Sequence, residues 1–224
     1  MLNAHLSNMV KPPLNSGMME LDALFDEIRA CRICVDQPIR APLPHAPRPV
    51  IRGAATARIL IAGQAPGTRV HASGKPFTDP SGDRLRDWMG VDEATFYDET
   101  RIAIVPMGFC FPGLDAKGGD LPPRRECAPA WRDAVMAALP AVELILAVGL
   151  SAMQWHLGSR AKSGMTATVA DWRAILADTA APSILPLPHP SWRNSGWIKR
   201  NPWFEADLLP VLQRRVAEHL RSAD

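Results

Sequence analysis

The apolar positions of this chain fall into two patterns. Leu21, Leu24, Phe25 and Ile28 recur at the spacing of one helix face, so a short helix with one buried side is predicted there. Four later runs are apolar without alternation: RILIAG at 58–63, RIAIVP at 101–106, ELILAVG at 143–149 and SILPLP at 183–188. Each has the length of a strand and is apolar on both faces, the pattern of a parallel sheet covered by helices. Helical spacing returns between the runs, in Leu85, Trp88 and Met89, in Trp131, Val135 and Leu139, and in Ala152 and Trp155. A last helix is predicted from about 204 to 220, with Leu208, Leu212 and Val216 on one side. The prolines of 38–49 forbid regular hydrogen-bonded structure there. Strands alternating with helices give an α/β fold with a largely parallel sheet. Ligands of such sheets sit outside the carboxyl ends of the strands, so chemistry is expected in the loops after residues 63, 106, 149 and 188.

Residues 1–18 lack these patterns and read as a flexible arm, leaving 19–224 as one domain of ordinary size. A hydrophobic content of 47% against 21% charged residues excludes a disordered chain. The net charge of +2 excludes a basic nucleic-acid coater but leaves room for a local basic patch. No run approaches the apolar length of a membrane helix, and the first residues lack the apolar core of a signal peptide, so a cytoplasmic location and no membrane partner are expected. In that reducing compartment the four cysteines read as metal ligands or thiols rather than disulfides.

Three motifs stand at the predicted strand ends. Gly63-Gln64-Ala65-Pro66-Gly67 follows the first run, and Gly74-Lys75-Pro76-Phe77-Thr78-Asp79-Pro80-Ser81-Gly82-Asp83 lies beyond it. Neither has the glycine spacing of a dinucleotide fingerprint or the G-K-[ST] of a phosphate loop. Pro188-His189-Pro190-Ser191 follows the fourth run, and the flanking prolines aim the imidazole rigidly. Singly, the first reads equally as a turn and the last as a structural histidine.

In order and approximate spacing these motifs resemble the uracil-DNA glycosylase superfamily, over roughly residues 20–220. The resemblance implies a single-domain α/β/α sandwich around a four-stranded parallel sheet. It also implies a repair enzyme that flips a deaminated base out of DNA, hydrolyses its N-glycosidic bond and leaves an abasic site. On that reading Gln64, Asp79 and His189 are catalytic. His189 donates a hydrogen bond to the base carbonyl as charge develops, Gln64 positions water through its amide, and Asp79 stabilises the cationic sugar. Asp83 is the next carboxylate, although an acid in the first turn of a helix needs no catalytic role. Gly63, Ala65, Phe77, Met107, Gly108 and His71 are the base-binding candidates, with Phe77 stacking on the base or, alternatively, packing in the core.

Two departures from the family's pattern change the expectation. Gln64 and Ala65 stand where branches of the family carry Glu or Asp, so the first motif supplies no charge. Pro106 stands where most relatives have an Asn that reads uracil, so the backbone near Met107 and Gly108, or His71, must substitute, and the pocket is expected to accept other deaminated bases.

Cys31-x-x-Cys34 with the distant Cys110 and Cys127 resembles the cluster-bearing glycosylases, which implies a structural four-iron four-sulfur cluster. Tetrahedral zinc suits the same four thiolates, and free thiols are the third possibility. Residues 192–203, WRNSGWIKRNPW, interleave aromatics with cations. Ser191, Trp192, Arg193, Asn194, Lys199 and Arg200 are therefore the DNA-contacting candidates, Trp192 or Arg193 filling the gap left by the base, while Trp197 and Trp203 pack the last helix. A monomer acting on uracil-containing DNA is the leading expectation. A relative that binds damaged or abasic DNA with little turnover is the second. A small-molecule hydrolase is the third, and it lacks the G-x-S-x-G elbow that would activate a serine.

Overall fold

The computed structural model describes residues 21–178 and 181–221, so the predicted arm of 1–18 lies outside the described residues. In chain order the helices and strands are α1 Leu21–Arg29, α2 Ile33–Asp36, β1 Ile59–Ala62, α3 Thr68–Ser73, α4 Pro80–Met89, α5 Glu93–Phe96, β2 Ile102–Ile104, α6 Cys127–Ala137, β3 Leu144–Val148, α7 Leu150–Leu157, α8 Met165–Ala170, α9 Trp172–Ala177, β4 Ser183–Leu187, α10 Ser195–Arg200 and α11 Leu209–Arg221. All four predicted strands form, the first three trimmed at both ends and the fourth at its last residue only.

The strands make one parallel sheet in the order β2-β1-β3-β4, with Ile59 level with Ile102 and Leu144, and Leu144 level with Ser183. Every position of β1, β2 and β3 is buried, which is why these runs show no alternation. The step from β1 to β2 runs one way across the sheet and the steps to β3 and β4 run the other way. Right-handed crossovers therefore place α3–α5 on one face and α6–α9 on the opposite face. Packing of α11 on α4, and of α1 on α6, completes the two helical layers. Among the described residues no helix is long and apolar enough to cross a membrane.

The predicted final helix is divided. Phe204–Leu208 forms a wide, i→i+5 turn ahead of α11. Pro210 has no N–H for the carbonyl of Ala206 and its ring would crowd that carbonyl, and the widened turn accommodates both. Leu208, Leu212 and Val216 are buried as the spacing predicted, whereas Trp155, placed on a buried stripe by its spacing, is 39% exposed on α7.

Reversal of the crossover direction opens a crevice between the carboxyl ends of β1 and β3. The pairing of β2 with β1 continues past both strands: Val105 N–H donates to Ile61 (3.0 Å), Met107 N–H to Gly63 (2.9 Å) and Gly108 N–H to Gln64 (2.8 Å). These bonds lock the first motif to the chain after β2 and set one wall of the crevice.

Candidate active site

A cleft of about 560 Å³ opens at this edge, lined by Gly63–Gly67 of the first motif, by Phe77, Asp79 and Ser81, by Pro106 and Asp120, and by His189. Residues 64 and 189, on loops after β1 and β4, thus share one cavity. The Gln64 side chain lies over Gly149 at the end of β3: a Cβ there would sit 2.4 Å from Gln64 Nε2, and φ is +87°. Only glycine leaves room for that amide.

His189 is held through its own loop. Ser191 N–H donates to Nδ1 (3.2 Å), the Asn194 amide donates to the His189 carbonyl (2.7 Å), and Arg84 from α4 donates to the Ser191 carbonyl (3.2 Å). An accepting Nδ1 puts the ring proton on Nε2. Burial holds the imidazole below the ordinary histidine range, only partly opposed by the Asp79 carboxylate. The ring is therefore a neutral donor at neutral pH. Ser191 and Asn194, expected to contact DNA, also brace this histidine.

Phe77 is the one described residue other than glycine with positive φ (55°). Its carbonyl occupies the space of an absent side chain, since a Cβ on Gly82 would lie 1.8 Å from it, and Tyr97 Oη–H lies within hydrogen-bond distance of the Pro76 (2.7 Å) and Phe77 (3.1 Å) carbonyls. The ring of Phe77 stands 3.6 Å from where a Cβ on Gly63 would be, and Pro106 closes the same corner at 4.0 Å. Phe77 and Pro106 thus form an apolar side of the cleft beside Gly63.

Two carboxylates line the cleft in different states. Asp79 caps α4: its Oδ1 accepts the Ser81 N–H (2.9 Å) and the Ser81 hydroxyl. Asp120, which sequence reasoning missed, stands at the rim, its Oδ2 3.2 Å from the position of a Cβ on Gly67. Partial desolvation pushes its carboxyl above the usual carboxylate range, helped by Asp79 and Asp115 and opposed by Arg193. The signal available in the sequence was one acid in a glycine-rich turn, GGD, with nothing to mark which strand end it would meet.

Three base-binding candidates do not reach the cleft. His71, on α3, packs at a tilt against His45 (4.2 Å between ring centroids) and Phe111 (5.7 Å), and Arg48 donates to its carbonyl (2.6 Å). Met107 is buried and Gly108 lines another cavity, and both spend their N–H groups on the first motif, so neither can donate from its backbone to a base. Ala65 and Gly63 do line the cleft. Trp192 is 75% exposed beside the His189 loop, with the Arg193 guanidinium 5.9 Å from its ring. Lys199 and Arg200 are exposed on α10, while Trp197 is buried against Trp203 and Phe204, as the packing alternative had it.

All four cysteines, unpaired, line a second cavity of about 390 Å³ with Leu43, Pro47, Pro49, Phe109 and Trp131. A donor meets one of the sulfurs: Phe109 N–H points to Cys127 Sγ (3.3 Å). In the thiol form burial pushes Cys34 up to about 11 and Cys110 up to about 12. The buried Trp131 indole N–H has no partner among the described residues. Among those residues no three His, Cys, Asp or Glu side chains close on one point as ligands of a single ion do.

Between the two cavities lies Arg132 of α6, 1% exposed. Its Nη1 donates to the Val105 carbonyl (2.7 Å) behind the cleft wall, and its Nη2 donates to His156 Nε2 (2.6 Å).

The carboxyl edge of the parallel sheet thus carries a neutral histidine donor, an aromatic ring and two carboxylates around one cleft. Residues 50–213, more than half of the chain, match the uracil DNA glycosylase superfamily. The chain belongs to that superfamily, and the match spans all four strands and every residue of the cleft.

Proposed function

We propose that this protein hydrolyses the N-glycosidic bond of uracil, and of other deaminated bases, in DNA. The observation that carries the reading is the convergence of Gln64, Phe77 and His189, from three separate loops, on one cleft. The target nucleotide leaves the stack, at a cost of a few kcal/mol, and its base lies against the Phe77 ring. His189 Nε2–H donates to a base carbonyl and binds it more tightly as the departing ring gains negative charge. Gln64 orients water through its amide, and carboxylate charge at the rim opposes the cationic sugar. Pro106 offers the base no side-chain donor, and the N–H groups of Met107 and Gly108 are engaged elsewhere, which supports a tolerant pocket. Trp192 and Arg193 face the duplex, the ring entering the gap and the cation meeting phosphate.

The cysteine cavity is proposed to hold a four-iron four-sulfur cluster, with zinc as the alternative. Supporting the cluster, all four thiols line one apolar space and the Phe109 N–H donates to one of them. Cys31, Cys34, Cys110 and Cys127 would be its ligands. When bound, the cluster supplies a cross-link, tying the 31–49 segment and the chain after β2 to α6; no step of the hydrolysis passes through it.

Incubation with labelled oligonucleotides containing uracil, hypoxanthine or xanthine, followed by alkali, tests this. Strand scission with uracil is expected, together with some scission of the purine lesions, and His189→Asn is expected to lose about 10²–10³-fold in rate. A retarded complex without scission would replace the reading with damaged-DNA binding. Scission of uracil alone would overturn the tolerant pocket.

A further inference from the structure

We infer that Asp120, from the loop after β2, supplies the charge that the first motif lacks by accepting the proton of the attacking water. The inference rests on the glycosylase reading above and adds to it a residue from a different loop.

Breaking the C1′–N bond sends its electron pair to the base and leaves a cationic sugar. A water oxygen then bonds to C1′, and the proton that it sheds needs an acceptor. The base anion departs hydrogen-bonded to His189 and takes its proton from solvent. Gln64 and Ala65 are neutral, so the acceptor must come from elsewhere in the cleft.

Of the two carboxylates present, Asp79 is committed. Its Oδ1 holds both the N–H and the hydroxyl of Ser81, and the first turn of α4 depends on it. Around Asp120, among the described residues, no donor stands within hydrogen-bond distance of the carboxylate oxygens. Its height in the cleft is also right. Of the lining residues Gly63 is buried and Phe77 and His189 are half-buried, where a base would lie, whereas Asp120 is exposed, at the level where the attached sugar and backbone would pass.

The last glycine of the first motif has a corresponding physical reading. A Cβ on Gly67 would sit 3.2 Å from Asp120 Oδ2, so its absence is the gap that admits the carboxylate. The loop is braced against movement: Leu114 pairs with Asp120, Leu121 N–H donates to the Gly113 carbonyl (3.0 Å), and Asp115 accepts from the N–H groups of Lys117 and Gly119 (2.8 Å each). The charged groups facing Asp120 are Arg193 from the His189 loop, Asp79 from the start of α4 and Asp115 from its own loop. Asp120 is exposed at the rim, and partial desolvation on its cleft side together with the two acids outweighs Arg193 and raises the carboxyl, the direction that makes a better base.

The test is single-turnover cleavage of a uracil oligonucleotide by the full chain between about pH 5 and pH 8. A base must be ionised, so the wild-type rate is expected to fall on acidification, with a midpoint above the ordinary carboxylate range. Asp120→Asn should lose about 10²-fold or more at neutral pH and lose that acid limb, while affinity for an abasic-site oligonucleotide changes little. Gly67→Ala should slow the wild type by crowding the carboxylate and have no further effect on Asp120→Ala, a coupling that only contact between the two positions produces. Full activity and an unchanged acid limb in Asp120→Asn, or additive effects of the two alanines, would overturn the inference and leave the glycosylase reading standing. A wild-type protein that cleaves none of the three lesions would remove that reading itself.

Discussion

The cleft and the cysteine cavity are built from one stretch of chain and are lined with opposite chemistry. Ile104 and Pro106 face the cleft, and Gly108, Phe109 and Cys110 face the cavity. In the cavity the walls are apolar and Cys127 Sγ accepts from the Phe109 N–H, while the Trp131 N–H and Arg124 Nε have no partner among the described residues. In the cleft, Asp120 and Nε2 of His189 face open space with no bonded partner among the described residues. Polar groups that a fold leaves unmatched beside a hole are held for something that arrives later. The contrast separates a region for reaction from a region for stability, and it can be broken by substitution.

The largest expected effect lies on the cavity side. Cys127→Ser removes a buried sulfur that α6 places in the cavity lining, and if the proposed cluster binds there it should cost more than about 4 kcal/mol of unfolding free energy and lose the iron. Denaturant unfolding and metal analysis would read this directly. His189→Asn should show the opposite profile, with turnover lost and the unfolding midpoint unmoved. A serine variant that keeps its stability but loses turnover would reverse the roles assigned to the two regions.

A smaller effect is expected at the join between them. Arg132 reaches from beside the cavity to the carbonyl behind the cleft wall, and it donates to His156, whose imidazole burial and the guanidinium push down to about 3. An ordinary histidine in the unfolded chain titrates near 6.5. Below that value the unfolded state binds a proton that the folded state refuses, so this stabilisation is complete above about pH 6.5 and declines as the pH falls toward the folded value. Between about pH 6.5 and pH 5 the loss is about 2 kcal/mol for one such group. His156→Gln can still accept from Arg132 and does not titrate, so unfolding free energies at pH 7 and pH 5 should differ less in the variant by that amount. Equal pH dependence in the two proteins would show that the strut does not exclude the proton.

The two regions also differed in how far the sequence disclosed them. The four strands were legible because a doubly covered sheet leaves unbroken apolar runs, and His189 because two prolines and a strand end fix its place. The gathering of the four cysteines was suggested by the C-x-x-C and by family resemblance, since spacing alone does not bring Cys110 and Cys127 to the N-terminal pair. Asp120 was illegible for the same reason: its position depends on how a glycine-rich loop closes over Gly67, a tertiary event with no local period. Met107 and Gly108 misled because their N–H groups looked available, and only the continued β2–β1 pairing shows them taken. His71 misled by standing near the first motif in sequence while its ring joins His45 and Phe111.

The smallest effect sharpens the contrast inside the cleft itself, at the only tyrosine in the chain. A non-glycine residue at positive φ stores about 1–3 kcal/mol, and Phe77 needs a counterweight to stay at 55°. Tyr97 supplies it through a hydroxyl shared between the Pro76 and Phe77 carbonyls, while Lys75 Nζ, 3.8 Å from the tyrosine ring centroid, covers the ring. Tyr97→Phe keeps the ring and its edge contact with Phe96 and removes one hydrogen bond of about 1 kcal/mol. If Phe77 is the surface on which the base rests, that loosening weakens substrate and transition state alike. KM should then rise about fivefold with kcat nearly constant, the signature of uniform binding lost. A fall in unfolding free energy with both constants unchanged would make Tyr97 a packing residue, and Phe77 would then hold its unusual backbone for the fold rather than for a ligand.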